Sequence, residues 1–408
     1  MKKILIVKMS AVGDVVMTLP ALAALKNQYP EAAVDWLVEP AAAGLLHDIR
    51  GLNRVIISPR RKIARLIRSG QAVKAGRLLR LFRKDLRSVN YDVVIDLQGL
   101  TKSAGVVWMA RGRRKVGFAK TRERTGWALN EKMPAYDPER HAVLRYLDAA
   151  VYLGAVRPKT LPERYYQPSE GAKAAGRKLI EALPRKIDAP PQFSGGLNVS
   201  AGNRLDSPIT AKGVEFIVLN TGAKWATKRW PAERWLELAR LLAENAEPRR
   251  IDAPPQSGGG PDACAGSGVD SQLAAYPLVL TGGPDDAAVA QAICEALPPG
   301  RALNLCGRTS LPALGAILAD SRAVVTCDTG PMHLAAAVGA GGLALFGPTK
   351  PNRTGPFGGG FEIVQPKLDC LGCLKKRCDR PCLSLLTAED VYARLKDYLK
   401  KTASLSNS

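Results

Sequence analysis

The first candidate for chemistry is a carboxylate at the end of a predicted strand. Residues 3–9 form a nearly continuous apolar run, as expected for a strand of a parallel sheet that is covered on both faces. The turn 10–14 follows and ends in Asp14, just before a helix predicted over 15–27. Ligands bind at the carboxyl edge of such sheets, so Asp14 is predicted to act as a general base. The alternative is that Asp14 only caps the helix.

A second group of candidates would bind a diphosphate. The stretch 327–331, CDTGP, follows an apolar run, and there Asp328, Thr329 and Gly330 begin a predicted helix. The start of a helix offers free N–H groups and a partial positive charge, which both suit a phosphate. Lys228 immediately precedes another predicted helix and is suited to ion pairing with the same phosphate.

Other polar residues in the C-terminal half of the chain each allow a structural and a functional interpretation. Asp285 and Asp328 are predicted to accept hydrogen bonds from sugar or ribose hydroxyls, although either carboxylate could equally cap a helix. His333 lies in the first turns of the helix that begins near Gly330, where a lone histidine is more often a hydrogen-bonded core residue than a catalyst. Arg229 is either a second cation for the phosphate or a surface residue.

The chain is strongly basic, and its most basic stretch is also amphipathic. It has 59 lysine and arginine residues against 37 acidic residues, a formal charge of +22, which predicts an anionic partner. In residues 60–87, Asp85 is the single acid, and apolar residues recur at helical spacing. Such a helix suits an anionic membrane surface; alternatively, its apolar stripe packs on its own domain. We expect the stripe to be core and the cations to face an anionic acceptor. The stripe consists of Ile63, Leu66, Ile67, Val73, Leu78, Leu79, Phe82 and Leu86.

Composition narrows the class of protein further. Aromatic residues make up only 6% of the chain, too few for a base-stacking platform, and no nucleic-acid-binding module is visible, so nucleic acid is not expected as a partner. No secretory signal is visible, and the longest charge-free apolar run, 334–346, is shorter than a membrane span. The 408 residues and 8 cysteines therefore predict two domains, reduced thiols and a cytoplasmic location.

Four cysteines near the end of the chain allow two interpretations. Cys370, Cys373, Cys378 and Cys382 have the spacing C-x2-C-x4-C-x3-C. Cysteines this close together can hold a tetrahedral zinc ion. The alternative is a set of small, half-buried thiols in a loop before the last helix. A structural metal is left open, and no catalytic metal is predicted.

Strands and helices alternate on both sides of a Pro-rich linker at 154–171, which predicts two doubly wound α/β domains. The predicted domains are residues 1–160 and 172–385, followed by a last helix within 386–408.

Two passages, 184–212 and 248–275, break the alternation. Both contain Ile-Asp-Ala-Pro-Pro-Gln, at a constant offset of 64 residues. Each falls between a helix and a strand, where loops tolerate insertion at little thermodynamic cost. We interpret them as low-complexity insertions without a catalytic role.

Several stretches together resemble glycosyltransferase family 9, the lipopolysaccharide heptosyltransferases. They are KILIVKMSAVGDVVMTLPAL at 3–22, VDWLVE at 34–39, YDVVIDLQGLTKSAG at 91–105, TKRWPAERW at 227–235, LTGGPDD at 280–286, CDTGPMHLAAA at 327–337 and LFGPTKPNRTGPFG at 345–358. The resemblance covers most of the chain outside the two insertions. The N-terminal half is most like the members that add the first heptose.

The resemblance implies a fold, a reaction and a location. The fold would be GT-B, an α/β fold in which two Rossmann-like doubly wound domains face a central cleft. Members are inverting transferases that use ADP-L-glycero-β-D-manno-heptose as donor and the Kdo of Kdo-lipid A as acceptor. They need no catalytic metal and no cofactor. The expected location is the cytoplasm, peripheral on the anionic inner face of the inner membrane.

The resemblance also assigns roles to residues of this sequence. Asp14 matches the proposed catalytic aspartate. The donor-binding positions are Lys228, Asp285, Asp328, Thr329, Gly330 and His333, and the acceptor-side cations are Arg60, Arg61, Lys62 and Arg122. The final helix, 386–408, would pack back on the first domain. One departure is the loop 221–224, TGAK, which lacks the paired threonines of the first-heptose transferases.

Other functions remain open on the sequence alone. Within the family, the chain could transfer the second heptose or another sugar. From another class, a non-catalytic module could dock on anionic lipid through residues 60–87. A dehydrogenase is a further alternative, but no G-x-G-x-x-G follows a predicted strand.

Overall fold

The computed structural model divides the chain into two compact units. The described residues are 1–121, 123–183, 215–244 and 276–405. The first unit comprises Met1–Tyr166 and Asn352–Gly358, and the second comprises Gln167–Pro351 and Gly359–Ser408. The boundary near residue 166 lies between the predicted domain limits of 160 and 172. The grouping of residues 352–358 with the first unit was not predicted.

The first unit is built on one parallel six-stranded sheet with the order β3-β2-β1-β4-β5-β6. Its strands are β1 Lys3–Val7, β2 Ala33–Val38, β3 Leu52–Ile57, β4 Asn90–Asp96, β5 Arg111–Phe118 and β6 Glu131–Met133. Its helices are α1 Val12–Val16, α2 Leu19–Gln28, α3 Pro40–His47, α4 Arg60–Arg68, α5 Ala72–Leu86, α6 Thr101–Met109 and α7 Ala142–Tyr152. This is the strand order of the Rossmann fold, whose topological switch point lies between β1 and β4.

The second unit repeats the architecture, with the order β12-β11-β10-β7-β8-β9 and all neighbours parallel. Its strands are β7 Ile217–Asn220, β8 Leu278–Thr281, β9 Ala302–Asn304, β10 Ala323–Cys327, β11 Gly342–Leu345 and β12 Phe361–Val364. Its helices are α8 Glu170–Ile180, α9 Ala232–Glu244, α10 Ala287–Glu295, α11 Leu311–Asp320, α12 Gly330–Ala337 and α14 Ala388–Leu405; a short α13, Pro351–Thr354, spans the boundary between the units. The switch point of this sheet lies between β7 and β10.

Two predicted helices are each divided in the structure. The helix expected over 15–27 is α1 and α2, because Pro20 lacks the N–H that a continuous helix requires and instead suits the first turn of α2. The basic segment 60–87 is α4 and α5. Gly70, with φ of +72°, follows the end of α4, and its N–H bonds to the carbonyl of Ile67, a common way to end a helix.

The apolar stripe of the basic segment is only partly core, which corrects the prediction. Leu86 is fully buried, and Phe82 packs against the core of the first unit. Ile67 is 59% exposed and Val73 is 87% exposed, and Leu79 is also exposed. The reason is that α4 and α5 pack on each other, and only the end of α5 reaches the sheet. The segment therefore presents apolar side chains and cations to solvent together.

The final helix also differs from its prediction. Val391, Leu395 and Leu399 of α14 are buried in the same core cluster as Trp235 of α9. The structure thus places α14 on the second unit, whereas the resemblance implied packing on the first. An amphipathic pattern predicts that one face is buried but does not identify the surface that covers it.

The two predicted insertions, 184–212 and 248–275, lie wholly outside the described residues. None of the helices that the structure describes is both long and apolar enough to cross a membrane.

Candidate active site

Asp14 follows β1 at the switch point of the first sheet, and its side chain is 36% exposed. One carboxylate oxygen, Oδ2, accepts a hydrogen bond from the backbone N–H of Ala11 at 3.1 Å. Asp14 is the third residue of α1, and its side chain reaches back to the N–H of the N-cap residue, Ala11. The prediction that Asp14 is itself the N-cap is therefore wrong, although its side chain does help to cap α1.

Two buried side chains hold the other oxygen of Asp14. The hydroxyl of Tyr146 donates to Oδ1 at 2.8 Å, and Lys8 Nζ lies 3.5 Å from the same atom. Lys8 also donates to the hydroxyl of Tyr146 at 2.6 Å and to the carbonyl of Leu97 at 3.0 Å. Burial lowers the pKa of Lys8, an effect that the charge of Asp14 partly offsets. Burial and then Asp14 raise the pKa of Tyr146 well above its ordinary value, so Tyr146 remains a proton donor at neutral pH.

The end of β4 is tied to the turn before Asp14. Gln98 Oε1 accepts hydrogen bonds from the backbone N–H groups of Met9 at 3.0 Å and Ser10 at 2.9 Å. Asp96 in turn accepts from the backbone N–H of Gln98 at 2.9 Å and from the hydroxyl of Ser103 at 2.9 Å. Burial raises the pKa of Asp96, and these hydrogen bonds oppose the rise. The two strands of the switch point are thus joined by side chains.

A buried carboxylate gathers three cations next to this turn. Glu39, which directly follows β2 and is 2% exposed, forms ion pairs with Arg60 at 3.2 Å, Arg61 at 2.8 Å and Lys102 at 3.1 Å. Lys102 also donates a short hydrogen bond to the hydroxyl of Ser10. Burial alone would raise the pKa of Glu39, but the hydrogen bonds and charges of its cations outweigh burial and lower it. The cluster carries a net positive charge, because one carboxylate faces three cations.

The remaining predicted acceptor residues are not part of this cluster. Lys62 is exposed on α4, and it forms no ion pair with the residues that the structure describes. Arg122 lies outside the described residues, so its predicted role stays a prediction.

The switch point of the second sheet brings together five of the six predicted donor residues. Lys228 Nζ donates to Asp328 Oδ2 at 2.6 Å, and His333 Nε2 lies 3.8 Å from Asp328 Oδ1. All three side chains are largely enclosed; that of Asp328 is 5% exposed. His333 is thus a buried helix residue in contact with a candidate site residue. Thr329 and Gly330 complete the group at the start of α12.

A buried amide fixes the turn before α12. Asn220, the last residue of β7 and 1% exposed, donates to the hydroxyls of Thr326 at 3.1 Å and Thr329 at 3.3 Å, and accepts from that of Thr281 at 3.3 Å. The side chain of Thr329 makes no capping hydrogen bond to α12. The first amides of α12, including that of Gly330, are therefore suited to an anionic ligand.

Asp285 is separate from this group. It is exposed in the 3₁₀-helix Pro284–Asp286 after β8, and it makes no ion pair with the other predicted donor residues that the structure describes. Its neighbour Asp286 has a structural role, since it accepts from the backbone N–H of Gly283 at 2.8 Å. A side chain at Gly222 would collide with Asp286, so the TGAK loop requires glycine there.

The four clustered cysteines show no preformed metal centre. Within the described ranges, no three histidine, cysteine, aspartate or glutamate side chains are arranged to hold a metal ion. Cys370, Cys373 and Cys378 are exposed thiols, and Cys382 is half-buried.

Sequence reasoning missed most of the side chains that support the candidates. Lys8 and Glu39 had a detectable signal, because each is a charged residue that directly follows an apolar parallel strand. Asn220, a polar residue that ends the apolar strand β7, gave a weaker signal because it carries no charge. Tyr146 gave none, since it reaches Asp14 from a helix 132 residues away in sequence.

The two parallel sheets in Rossmann order, together with the similarity to solved structures described below, define a GT-B fold of two Rossmann-like domains. The model of the family described as glycosyltransferase family 9 (heptosyltransferase) matches residues 79–247 and 271–384. The chain belongs to this family and is an enzyme that transfers a sugar. Membership removes the support for a non-catalytic lipid-binding module and for a dehydrogenase.

Similar proteins include a curated relative and several solved structures. Lipopolysaccharide heptosyltransferase 1 of Pseudomonas aeruginosa is 30% identical over 92% of this chain and 87% of its own length. The structure of Escherichia coli heptosyltransferase WaaC with ADP has a TM-score of 0.66 and 26% identity, covering 99% of each chain. E. coli ADP-heptose lipopolysaccharide heptosyltransferase II, at 23% identity, 99% and 100% coverage and a TM-score of 0.66, shares the fold.

Proposed function

We propose that this enzyme transfers L-glycero-D-manno-heptose from ADP-heptose to the Kdo of Kdo-lipid A, with inversion and with Asp14 as the general base. The observation that carries the proposed mechanism is the carboxylate of Asp14, partly exposed at a switch point and held by Tyr146 and Lys8. Support for the donor comes from the similarity to WaaC, solved with ADP and with ADP-2-deoxy-2-fluoro heptose.

The proposed reaction is a single displacement at the anomeric carbon of heptose. The acceptor hydroxyl oxygen forms the new bond to this carbon, and Asp14 takes the hydroxyl proton. The bond between the anomeric carbon and the β-phosphate oxygen breaks, and its electron pair leaves with ADP. Because attack and departure occur on opposite faces, the configuration inverts. Tyr146 and Lys8 orient the carboxylate of Asp14 through Oδ1, and the N–H of Ala11 orients it through Oδ2, so the base is held in one position before the substrate binds.

The leaving ADP gains negative charge and needs positive groups that are already in place. We assign the first amides of α12, at Thr329 and Gly330, and the ammonium of Lys228 to the diphosphate. Asp328 orients Lys228, and His333 supports Asp328 from within α12. The exposed carboxylate of Asp285 is assigned to a hydroxyl group of the donor, where it accepts a hydrogen bond.

The acceptor is anionic, and we assign its charges to the first unit. Arg60 and Arg61, held by Glu39, would bind a carboxylate of Kdo or a phosphate of lipid A; Lys62 and Arg122 would extend this contact. Two observations support an acceptor that does not yet carry a heptose. The relatives described as heptosyltransferase 1 are 27–30% identical to this chain, against 25–27% for those described as heptosyltransferase 2. In addition, the acceptor of the first heptose presents the carboxylate of Kdo directly to the cations of the first unit.

We also propose that the enzyme acts in the cytoplasm, on the anionic inner face of the inner membrane. The support is the exposed surface of α4 and α5, which combines cations with the apolar side chains of Ile67, Val73, Leu79 and Leu81. A basic helix of this kind binds anionic lipid by charge and inserts its apolar residues at the interface.

The decisive experiment incubates purified enzyme with ADP-heptose and Kdo-lipid A and follows ADP release and the heptosylated product. We expect Asp14→Asn to lower kcat by about 10²–10⁴-fold with the Kd for ADP unchanged, whereas Asp137→Asn, an exposed aspartate of the same unit, should behave as the wild type. Full activity of Asp14→Asn would remove Asp14 as the base. Turnover only on an acceptor that already bears one heptose would assign the chain to second-heptose transfer.

A further inference from the structure

The loop that carries the four cysteines packs directly beside Lys228. Residues 365–382, here called the cysteine loop, follow β12. The carbonyl of Lys375 in this loop accepts a hydrogen bond from the hydroxyl of Thr227, at 2.8 Å. Thr227 immediately precedes Lys228 in the chain. The position of the loop is therefore linked to that of the proposed diphosphate-binding lysine.

Further contacts fix the cysteine loop against the turn after β11. Gly372 donates its backbone N–H to the carbonyl of Gly347 at 3.0 Å, and Leu374 donates to that of Pro348 at 2.7 Å. A side chain at Gly347 would collide with Cys382 Sγ, so the two segments are in close contact. Leu374 has φ of +60°, a left-handed conformation that costs about 1–2 kcal/mol for such a residue. The loop keeps this unfavourable conformation just before Lys375 and Lys376.

Lys376 contacts the same aromatic ring as Lys228. Lys228 Nζ lies 4.7 Å from the centroid of the Trp225 ring, and Lys376 Nζ lies 5.2 Å from it. Contact with an indole face stabilises an ammonium by about 0.5–1 kcal/mol at an exposed site. The two ammonium groups therefore lie at most about 10 Å apart, a span that one diphosphate can bridge with a hydrogen bond at each end.

The two lysines differ in their charge balance. Lys228 is paired with the buried Asp328, so the charges of this pair cancel. Lys376 forms no ion pair with any carboxylate in the part of the chain that the structure describes. A nucleoside diphosphate carries several negative charges, which a neutral pair compensates poorly. Lys376 therefore adds a positive charge next to Lys228 that no described carboxylate neutralises.

We propose that Lys376 of the cysteine loop is a second diphosphate-binding residue of the donor site. The inference rests on the proposed function, because it assigns the diphosphate to Lys228 and α12. Lys376 donates to a phosphate oxygen of the bound nucleotide and stabilises the charge that the ADP group gains as its bond to heptose breaks. The cysteine loop then has a defined role, which is to present this lysine.

The test measures the Kd for ADP by calorimetry on the full chain at low and high salt. We expect Lys376→Met to weaken ADP binding about tenfold and to reduce its salt dependence, because one charge-assisted contact is lost. Lys376→Arg should stay within about threefold of the wild type, since it keeps the charge. Lys367→Met, an exposed lysine of the same loop, is the matched control and should bind ADP as the wild type does.

Two results would overturn the inference. One is a Kd for Lys376→Met equal to that of Lys367→Met; the other is an equal loss in Lys376→Arg, which would mean that the charge is not what matters. Lys228→Met separates this failure from that of the proposed function. If Lys228→Met loses ADP binding while Lys376→Met does not, only the inference is wrong. If neither variant changes ADP binding, the proposed donor site is wrong as well.

Discussion

The hydroxyl of Tyr146 donates a hydrogen bond to Asp14 Oδ1 at 2.8 Å, and it accepts one from the buried Lys8 at 2.6 Å. Tyr146 comes from α7, Lys8 directly follows β1, and Asp14 belongs to α1. A carboxylate that must receive a proton from a substrate is therefore fixed by a donor that does not itself ionise at neutral pH. The geometry of Asp14 therefore depends on Tyr146.

Replacing Tyr146 by Phe should lower kcat roughly five- to tenfold, the value of one hydrogen bond that orients the base. Donor affinity should not change, since the donor residues lie on the second unit. Steady-state kinetics with ADP-heptose and the acceptor, together with the Kd for ADP, check this. Tyr152→Phe, on the exposed end of the same helix, is the control. Equal kcat values for the two variants would mean that Tyr146 does not position Asp14.

The buried Lys8 should make the stability of the enzyme depend on pH. Burial lowers its pKa, so between its folded pKa and its ordinary value the unfolded chain binds more protons, and stability rises with pH over this window. Lys8→Met removes a partner of Asp14 and the hydrogen bond to the carbonyl of Leu97, so it should be less stable than the wild type by about 1–3 kcal/mol at pH 7. This difference should grow as the pH rises toward 10.5, because only the wild type gains stability there. Calorimetric melting across this range, with kcat at pH 7, measures the difference; a difference that does not change with pH contradicts the prediction.

Most residues of the candidate active site could be predicted from their positions at the ends of strands. Asp14, Asp328 and Thr329 all follow apolar strands, and such runs are visible in a sequence because parallel strands are buried on both faces. What supports them could not be predicted in this way. Tyr146 reaches Asp14 across 132 residues, and Lys376 reaches the ring of Trp225 from a distant part of the chain. The partner of an amphipathic face is equally invisible, which is why α14 and the apolar stripe of α5 differ from their predictions.

Glu39→Gln should weaken acceptor recognition without changing donor binding. The variant loses the charge that holds Arg60, Arg61 and Lys102, and we expect the KM for the acceptor to rise several-fold. Stability should fall by about 1–3 kcal/mol at pH 7, because the cations are left close together but are partly exposed.

The pH dependence of this loss follows from the lowered pKa of Glu39. Because the pKa of Glu39 is lowered in the folded state, its ionised side chain stabilises the fold at pH values above its ordinary pKa of 4.5. This contribution disappears as the pH falls through the pKa of the folded state. The difference in unfolding free energy between wild type and Glu39→Gln should therefore vanish in acid. Urea titrations from pH 7 downward measure it. A constant difference would show that the charge of Glu39 is not its cause.

Asn220→Ala should weaken ADP binding roughly three- to tenfold, because Thr329 loses the amide that fixes it at the start of α12. Asn304→Ala, at the end of the outer strand β9, removes a comparable amide away from the switch point and serves as the control. Calorimetry with ADP compares the two variants. Unchanged ADP affinity in Asn220→Ala would show that the amides of α12 do not depend on this network.

Membrane docking is expected to require the exposed apolar residues of α5 as well as its cations. Val73 is 87% exposed and Leu81 is 55% exposed, and each would gain about 1–2 kcal/mol by partial insertion at a bilayer interface. The double variant Val73→Ser with Leu81→Ser keeps the charge of the chain, so it isolates this contribution. We expect its partitioning onto vesicles of anionic lipid to fall about tenfold or more. Val156→Ser with Leu385→Ser removes two exposed apolar side chains elsewhere and should bind as the wild type does. Sedimentation with anionic vesicles, repeated with neutral ones, measures both contributions. If charge alone drives docking, the α5 double variant will stay bound to the anionic vesicles. A loss of binding shared by both double variants would place the membrane contact outside α5.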